Sequence, residues 1–305
     1  MNIGKFTFDK NVFLAPIAGY TDVGFRAICS KQGAELTFTE MISAKGLVYG
    51  SEKTEDLLIT TDNEKIKAVQ IFGSDPNFIE KAVNHEALAK FDIIDINMGC
   101  PMPKITKNGD GSSLLNNKEL ACDIIKAALS SGKIVTAKIR LGIEENTSLN
   151  FVEALQKSGV SAITVHGRTR AQMYSGKADW DAIRRIKEIA TVPIIANGDV
   201  KSKEDYESIL AQTKADGVMI ARGALGNPNI FADIKGLKRK PLKELINTHL
   251  DFLFMYHPEK YVLSNFKKHM ACYCSGFKGC KELKVKAFNA KTKEELYKII
   301  GEIDD

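Results

Sequence analysis

The chain has 305 residues, 44% apolar and 27% charged, which suits a barrel-sized domain of ~250 residues with a small unit appended. No apolar run reaches the ~20 residues of a membrane span, and the first ten residues lack an apolar signal core, so a cytoplasmic protein away from membranes is expected. The six scattered cysteines exclude a disulfide scaffold, and the net charge of +5 lies wholly in the last quarter, where residues 236–305 carry 14 Lys+Arg against 9 Asp+Glu. A basic appendage on a neutral body fits a polyanionic partner, although a solvated lysine-rich surface would look the same.

In chain order, eight short runs rich in β-branched residues stand at 12–16, 35–39, 68–72, 93–97, 135–139, 162–166, 192–196 and 217–221. Nearly all are continuously apolar, as strands buried on both faces are, and the helix-length segments between them imply parallel pairing. Eight such units predict an α/β fold, a (β/α)8 TIM barrel, over residues 1–235. Glu40, Gln70, Asn97, Lys138, His166, Asn197 and Arg222 follow the strand ends. This fold places its active site there, and polar groups that are costly to bury mark it. The connection from 99 to 115, rich in Gly, Pro and Lys, is expected to form a lid. Past residue 231 the strand-like runs largely cease; 235–241 reads as a linker. Residues 242–256, 260–274 and 293–300 read as helices of a small helical domain spanning 241–305.

Cys100, on the loop Asn97-Met98-Gly99-Cys100-Pro101, is placed to face a ligand as nucleophile or general acid, if it is not simply a small buried hydrophobe. Lys138 points into the barrel and needs an anionic partner, either a ligand or an internal carboxylate such as Asp95 or Glu40. His166 is a candidate donor to a phosphate or a substrate carbonyl, or a satisfied core residue; Arg168 and Arg170 beside it are candidates for RNA phosphates. Asn197-Gly198-Asp199 and Ala221-Arg222-Gly223 follow the last two strands, where barrels commonly bind phosphate through backbone N–H groups; tight turns alone would also account for the glycines. Cys272, Cys274 and Cys280 lack a fourth ligand at a usual spacing, so no metal is expected.

Taken together, Leu14-Ala15-Pro16-Ile17-Ala18-Gly19-Tyr20-Thr21-Asp22, Thr39-Glu40-Met41, Val69-Gln70-Ile71-Phe72-Gly73 and Asp95-Ile96-Asn97-Met98-Gly99-Cys100-Pro101 resemble the tRNA-dihydrouridine synthases, most closely their bacterial B-type branch. Lys138-Ile139-Arg140, His166-Gly167-Arg168-Thr169-Arg170, Ile195-Ala196-Asn197-Gly198-Asp199 and Met219-Ile220-Ala221-Arg222-Gly223 extend the resemblance in order to about residue 232. It implies FMN as cofactor and NADPH or NADH as reductant. Pro16, Ile17 and Ala18 would lie along the flavin ring, Gln70 at its edge and Lys138 near N1 and O2. Asn197, Gly198, Asp199, Ala221 and Arg222 would hold the phosphate, helped by His166. Asn97 would help position the target uracil, and Arg140 is placed among the substrate contacts. Hydride would pass from flavin N5 to uracil C6, and Cys100 would give a proton to C5. The resemblance further implies a tRNA substrate gripped by the basic helices, Lys267 and Lys268 included, with no obligate protein partner. Phe266-Lys267-Lys268-His269-Met270 resembles the family's helix signature, whereas Cys272-Tyr273-Cys274 departs from it and leaves ribosomal RNA open as a substrate. The nearest rival is a dihydroorotate-dehydrogenase-like enzyme of the same fold acting on a free pyrimidine, which would not need a basic helical domain. A flavin-free phosphate-binding barrel would leave Gln70 and Lys138 unexplained, and a non-catalytic RNA-binding scaffold would not need Cys100.

Overall fold

The computed structural model describes residues 1–303; residues 304 and 305, the end of the expected helical unit, lie outside the described residues. Eight parallel strands close on themselves: β1 (Val12–Leu14), β2 (Leu36–Phe38), β3 (Lys67–Phe72), β4 (Ile93–Met98), β5 (Ile134–Arg140), β6 (Ala162–His166), β7 (Ile194–Asn197) and β8 (Gly217–Ile220). Each pairs with the next, and β8 returns to β1 through Val218 opposite Val12. The first and seventh strands are shorter than the apolar runs suggested. Pro16 and Pro193 have no N–H for the ladder and sit at the strand margins.

Seven helices wrap the barrel: α1 (Val23–Lys31), α2 (Pro76–Val83), α3 (Lys118–Leu129), α4 (Ser148–Lys157), α5 (Trp180–Ile189), α6 (Lys203–Thr213) and α7 (Asn229–Lys235). Between β2 and β3 stand instead a short strand, Ile42–Ser43, and two short helices, Ala44–Val48 and Glu52–Leu57.

Period-two alternation explains how apolar strands present a polar mouth. On β4, Ile94, Ile96 and Met98 face the helices, while Ile93 lies in the barrel's interior core, with Asp95 and Asn97 next along the same face. Interior residues are apolar at the bottom, where Phe13, Leu36, Ile93, Ala162, Ile195 and Met219 pack together, and become polar towards the strand C-termini. A hairpin that sequence reading missed, Asn2–Ile3 paired with Phe6–Thr7, plugs the bottom; its Ile3 joins that core, and Phe8 just after it meets Phe13 edge-on at 5.0 Å.

The connection to the C-terminal helices is shorter than the expected linker. Lys235 still belongs to α7, and Gly236 caps it in the left-handed region at φ 69°. Then follow α8 (Leu242–Tyr256), α9 (Glu259–Asn265), α10 (Lys267–Tyr273), α11 (Cys280–Asn289) and α12 (Lys293–Gly301). The expected helix 260–274 is divided at Phe266, and α11 was not anticipated. These helices are no loose appendage: Leu250, Phe266 and Met270 share one core with Val23, Phe25 and Ile28 of α1. The approach is close enough that a Cβ on Gly24 would lie 2.7 Å from the His249 carbonyl oxygen.

Candidate active site

A cleft of ≈ 340 Å³ opens at the C-terminal end of the barrel, within the range of small-molecule sites. At one end, β7 and β8 deliver Asn197, Gly198, Asp199, Ala221 and Arg222 together. Gly198 adopts φ 133° and Asp199 φ 60°. A Cβ on Gly223 would stand 2.1 Å from the Val200 carbonyl oxygen, so only glycine lets the two loops meet. The Asn197 amide is tied to the Met219 carbonyl at 2.7 Å and joins the strands behind the site. Burial raises Asp199, but the Ala178 N–H together with Arg168 and Arg222 takes it below its ordinary range. Its carboxylate is occupied by Arg168 (2.7 Å) and the Ala178 N–H (2.7 Å), so a phosphate here would meet backbone and Arg222, whose guanidinium lies 3.6 Å from Asp199.

At the centre stand Lys138, His166, Gln70, Asn97 and Cys100, with Ala15, Pro16, Ile17 and Ala18 along one wall. Among the described residues the Lys138 ammonium makes no hydrogen bond or ion pair, and burial and Arg140 push it down to about 8 against the pull of Asp95. The expected alternative, a direct ion pair to Asp95 or Glu40, is not made. Glu40 instead takes the Gly19 N–H and fixes the turn beyond Ala18. An ammonium facing a cleft without a partner, together with the glycine cradle, fits an anionic aromatic ring carrying a phosphate, as FMN would supply. Burial and the cations Lys138, Arg140, Arg168 and Arg222 lower His166 to about 2, so its imidazole is neutral. Its Nε2 lies 3.4 Å from Arg168 Nη1 and accepts from it.

Burial raises the Cys100 thiol, while the Met102 N–H, Arg140 and Lys138 pull it the other way. The net effect keeps it protonated at neutral pH, which suits an acid and not a standing thiolate. Asn97 Oδ1 accepts from the N–H groups of Gly99 (3.1 Å) and Cys100 (2.9 Å) and so shapes the thiol's loop. The expected lid, 99–115, folds back on Cys100 with a short helix, Pro103–Thr106, and a 3-10 turn, Gly111–Asn116. Ser112 N–H donates to the Cys100 carbonyl at 3.0 Å.

One expected substrate contact, Arg168, is corrected. Arg168 is buried, out of reach of an RNA phosphate, and directs its donors to the carbonyls of Ser175 and Gly176, to Asp199 and to His166. Arg140 lines the cleft but is mainly a clamp, donating to the carbonyls of Gly99, Thr169 and Met173. Arg170 is partly exposed and pairs loosely with Glu144 at 3.8 Å. Lys267 lines a groove of the helical unit with Lys260 and Lys291, whereas Lys268 lies 5.9 Å from the centre of the Tyr20 ring. Sequence reading missed Met41 and Tyr174, which also line the cleft. Tyr174 stacks against Arg222 at 4.8 Å and Arg140 at 5.6 Å, and its place in a long loop after β6 was the signal that could have found it.

Also missed was a cluster joining the two units. Asp22 accepts from His249 (3.0 Å), His269 (2.8 Å) and the Phe25 N–H (2.8 Å), and His249 meets the Tyr273 hydroxyl at 3.0 Å. Among the described residues these are the three potential ligands that converge, within 4.8 Å, while Cys272, Cys274 and Cys280 do not. Each is already hydrogen-bonded, and the group acts as a bolt between α1, α8 and α10.

The family model described as "Dihydrouridine synthase (Dus)" matches residues 13–303. The tRNA-dihydrouridine synthase B of Pasteurella multocida (strain Pm70) is 38% identical over 316 residues, covering 99% of this chain and 95% of that protein. A probable tRNA-dihydrouridine synthase of Aquifex aeolicus (strain VF5) is 38% identical over 95% of each chain. Among solved structures, the old yellow enzyme homologue from Zymomonas mobilis superposes with a TM-score of 0.60 at 13% identity, covering 83% of this chain and 98% of that one, a likeness of fold. With the family model spanning barrel and helices alike, and the thiol loop, lysine and glycine cradle in one cleft, the chain belongs to the dihydrouridine synthase family.

Proposed function

We propose that this protein reduces the C5–C6 double bond of uridine in tRNA to dihydrouridine, with FMN as cofactor and NADPH or NADH as reductant. The observation that carries the reading is the Cys100 thiol on the wall of the same cleft as Lys138, whose ammonium has no partner among the described residues. Bound FMN would supply the hydride that uracil C6 receives. Hydride addition leaves enolate-like charge beside C5, and the Cys100 thiol gives its proton to that carbon. Lys138 and Arg140 then stabilise the thiolate left behind, as their electrostatic pull on Cys100 indicates. With the cofactor bound, Lys138 would balance negative charge on the ring, while the N–H groups around Gly198 and Gly223, with Arg222, would hold the phosphate. Neutral His166 offers a hydrogen bond without adding a further cation to a site already rich in them.

The uracil must leave its stack to reach this cleft, and the basic helical unit, residues 241–305, is the part of the protein suited to hold the RNA around it. Support comes from relatives named for the same reaction and from the docking of the helices beside the cleft, where Lys268 reaches Tyr20. The test is anaerobic: protein reduced with NADPH is mixed with unmodified tRNA transcript or, separately, with orotate. Return of the oxidised flavin spectrum with tRNA alone is expected. Reoxidation by orotate alone would overturn the reading in favour of a free pyrimidine.

A further inference from the structure

Behind Cys100 a chain of hydrogen bonds runs across the floor of the cleft, and its two ends have fixed polarity. At one end are the backbone N–H groups of Gly99 and Cys100, which only donate. At the other is the Asp95 carboxylate, buried on β4, which only accepts when ionised. Two amides bridge them. Gln70 Nε2 donates to Asp95 Oδ2 at 2.7 Å, Asn97 Nδ2 donates to Gln70 Oε1 at 2.8 Å, and Asn97 Oδ1 accepts from Gly99 and Cys100. The second Asp95 oxygen takes the Thr136 hydroxyl at 2.6 Å. An amide can be turned end for end at almost no steric cost, so shape alone does not orient Gln70 or Asn97. Between an acceptor-only end and a donor-only end, a single arrangement satisfies every bond.

We propose that Asp95 is a positioning residue for the proton transfer: its carboxylate sets the direction of the Gln70–Asn97 amide chain and thereby seats the Cys100 loop on the cleft wall. The proposal rests on the reading of Cys100 as the acid. Burial lifts Asp95 to about 6 against the hydrogen bonds of Gln70 and Thr136 and the charge of Lys138, so it is ionised at pH 8, where the test is run.

The isosteric substitution Asp95→Asn exposes the logic. An amide cannot accept on both sides as the carboxylate does: with its N–H2 on Thr136 the hydroxyl proton loses its buried acceptor, and with its oxygen on Thr136 it turns N–H2 towards Gln70, which must reverse, so that Asn97 reverses in turn and presents N–H2 to the N–H groups of Gly99 and Cys100. Adding Gln70→Glu restores the order, because a carboxylate at 70 accepts from both neighbouring amides. Gln70→Glu alone sets two carboxylates face to face.

The flavin-loaded protein is followed in single turnover at pH 8. In Asp95→Asn, reoxidation by tRNA, taken relative to the rate of reduction by NADPH in the same variant, slows by ~10²-fold, the cost a misplaced reacting group can carry. Because Gln70 also lines the cleft, rates are taken per bound flavin; the double variant then reoxidises faster than Asp95→Asn alone, which a general loosening of the fold would not allow. A readout independent of turnover is the alkylation of Cys100 by iodoacetamide, followed by mass spectrometry of its peptide. Asp95→Asn changes its rate several-fold, and the double variant moves it back towards wild type. Wild-type reoxidation in Asp95→Asn, or a double variant no better than the worse single, would overturn the proposal. Cys100→Ala is run beside them: full activity there removes the acid role itself, whereas an inactive Cys100→Ala with a fully active Asp95→Asn removes only the positioning role.

Discussion

Asp22 is the residue whose loss should be felt in two places at once. Its side chain caps α1 through the Phe25 N–H and accepts from His249 on α8 and His269 on α10, so one carboxylate ties the barrel to both helices. Asp22→Ala removes a helix cap worth about 1 kcal/mol and leaves two buried imidazoles without an acceptor at about 1.5 kcal/mol each. For an unfolding entropy of about 2.1 cal/mol/K per residue, a loss of about 4 kcal/mol lowers Tm by about 6 °C. Asp22→Asn keeps one oxygen for Phe25 and His249 and turns its N–H2 to His269, which can move its proton to the other ring nitrogen. About half the loss is expected. Thermal unfolding followed by far-UV circular dichroism gives the stabilities, and steady-state kinetics should show a raised KM for tRNA with unchanged reduction by NADPH. A Tm shift under about 2 °C in Asp22→Ala, or an Asn variant as damaged as the Ala variant, would refute the three-bond account.

Cys100→Ala should keep its yellow flavin and lose turnover by ~10²-fold or more, the scale of a general acid; an active variant in single-turnover assay removes the proton-donor role. Neutralising Lys267 and Lys268 should weaken tRNA binding and flatten the slope of log K against log salt by about one for each phosphate no longer neutralised, and an unchanged slope takes both out of the interface. Burial, opposed by Asp22, lowers His249 to about 4, so the unfolded chain binds a proton that the folded one refuses. Its stabilisation is therefore complete above the unfolded value of about 6.5 and is withdrawn as pH falls towards about 4, at about 1.4 kcal/mol per unit. Urea midpoints that stay flat from pH 6.5 to 4.5 would contradict this.

Much of the barrel was legible before any coordinates. Strands such as 93–97 and 162–166 declare themselves through runs of branched apolar residues, and α8 falls on 242–256 as its periodicity and the preceding Pro241 require. The strand-end motifs also placed Cys100, Lys138 and the glycines that follow β7 and β8 at one mouth, because the fold gathers strand C-termini there. Each of these signals is short-ranged: propensity, alternation and turn chemistry act over a few residues.

What needed the tertiary structure was the use made of each polar side chain. Arg168 reads as an RNA ligand until Asp199, 31 residues on, takes its charge, and no local pattern says that Gln70 and Asn97, which line the cleft, are also bonded to each other and to Asp95. Asp22 meets His249 and His269 across 227 and 247 residues, a pairing that no local pattern encodes. The amino-acid order determined where strands, helices and reactive groups lie along the chain, since those depend on neighbours in sequence. Closure of the barrel and docking of the helices decided which groups are spent on one another and which are left to face the cleft, since a hydrogen bond depends on neighbours in space.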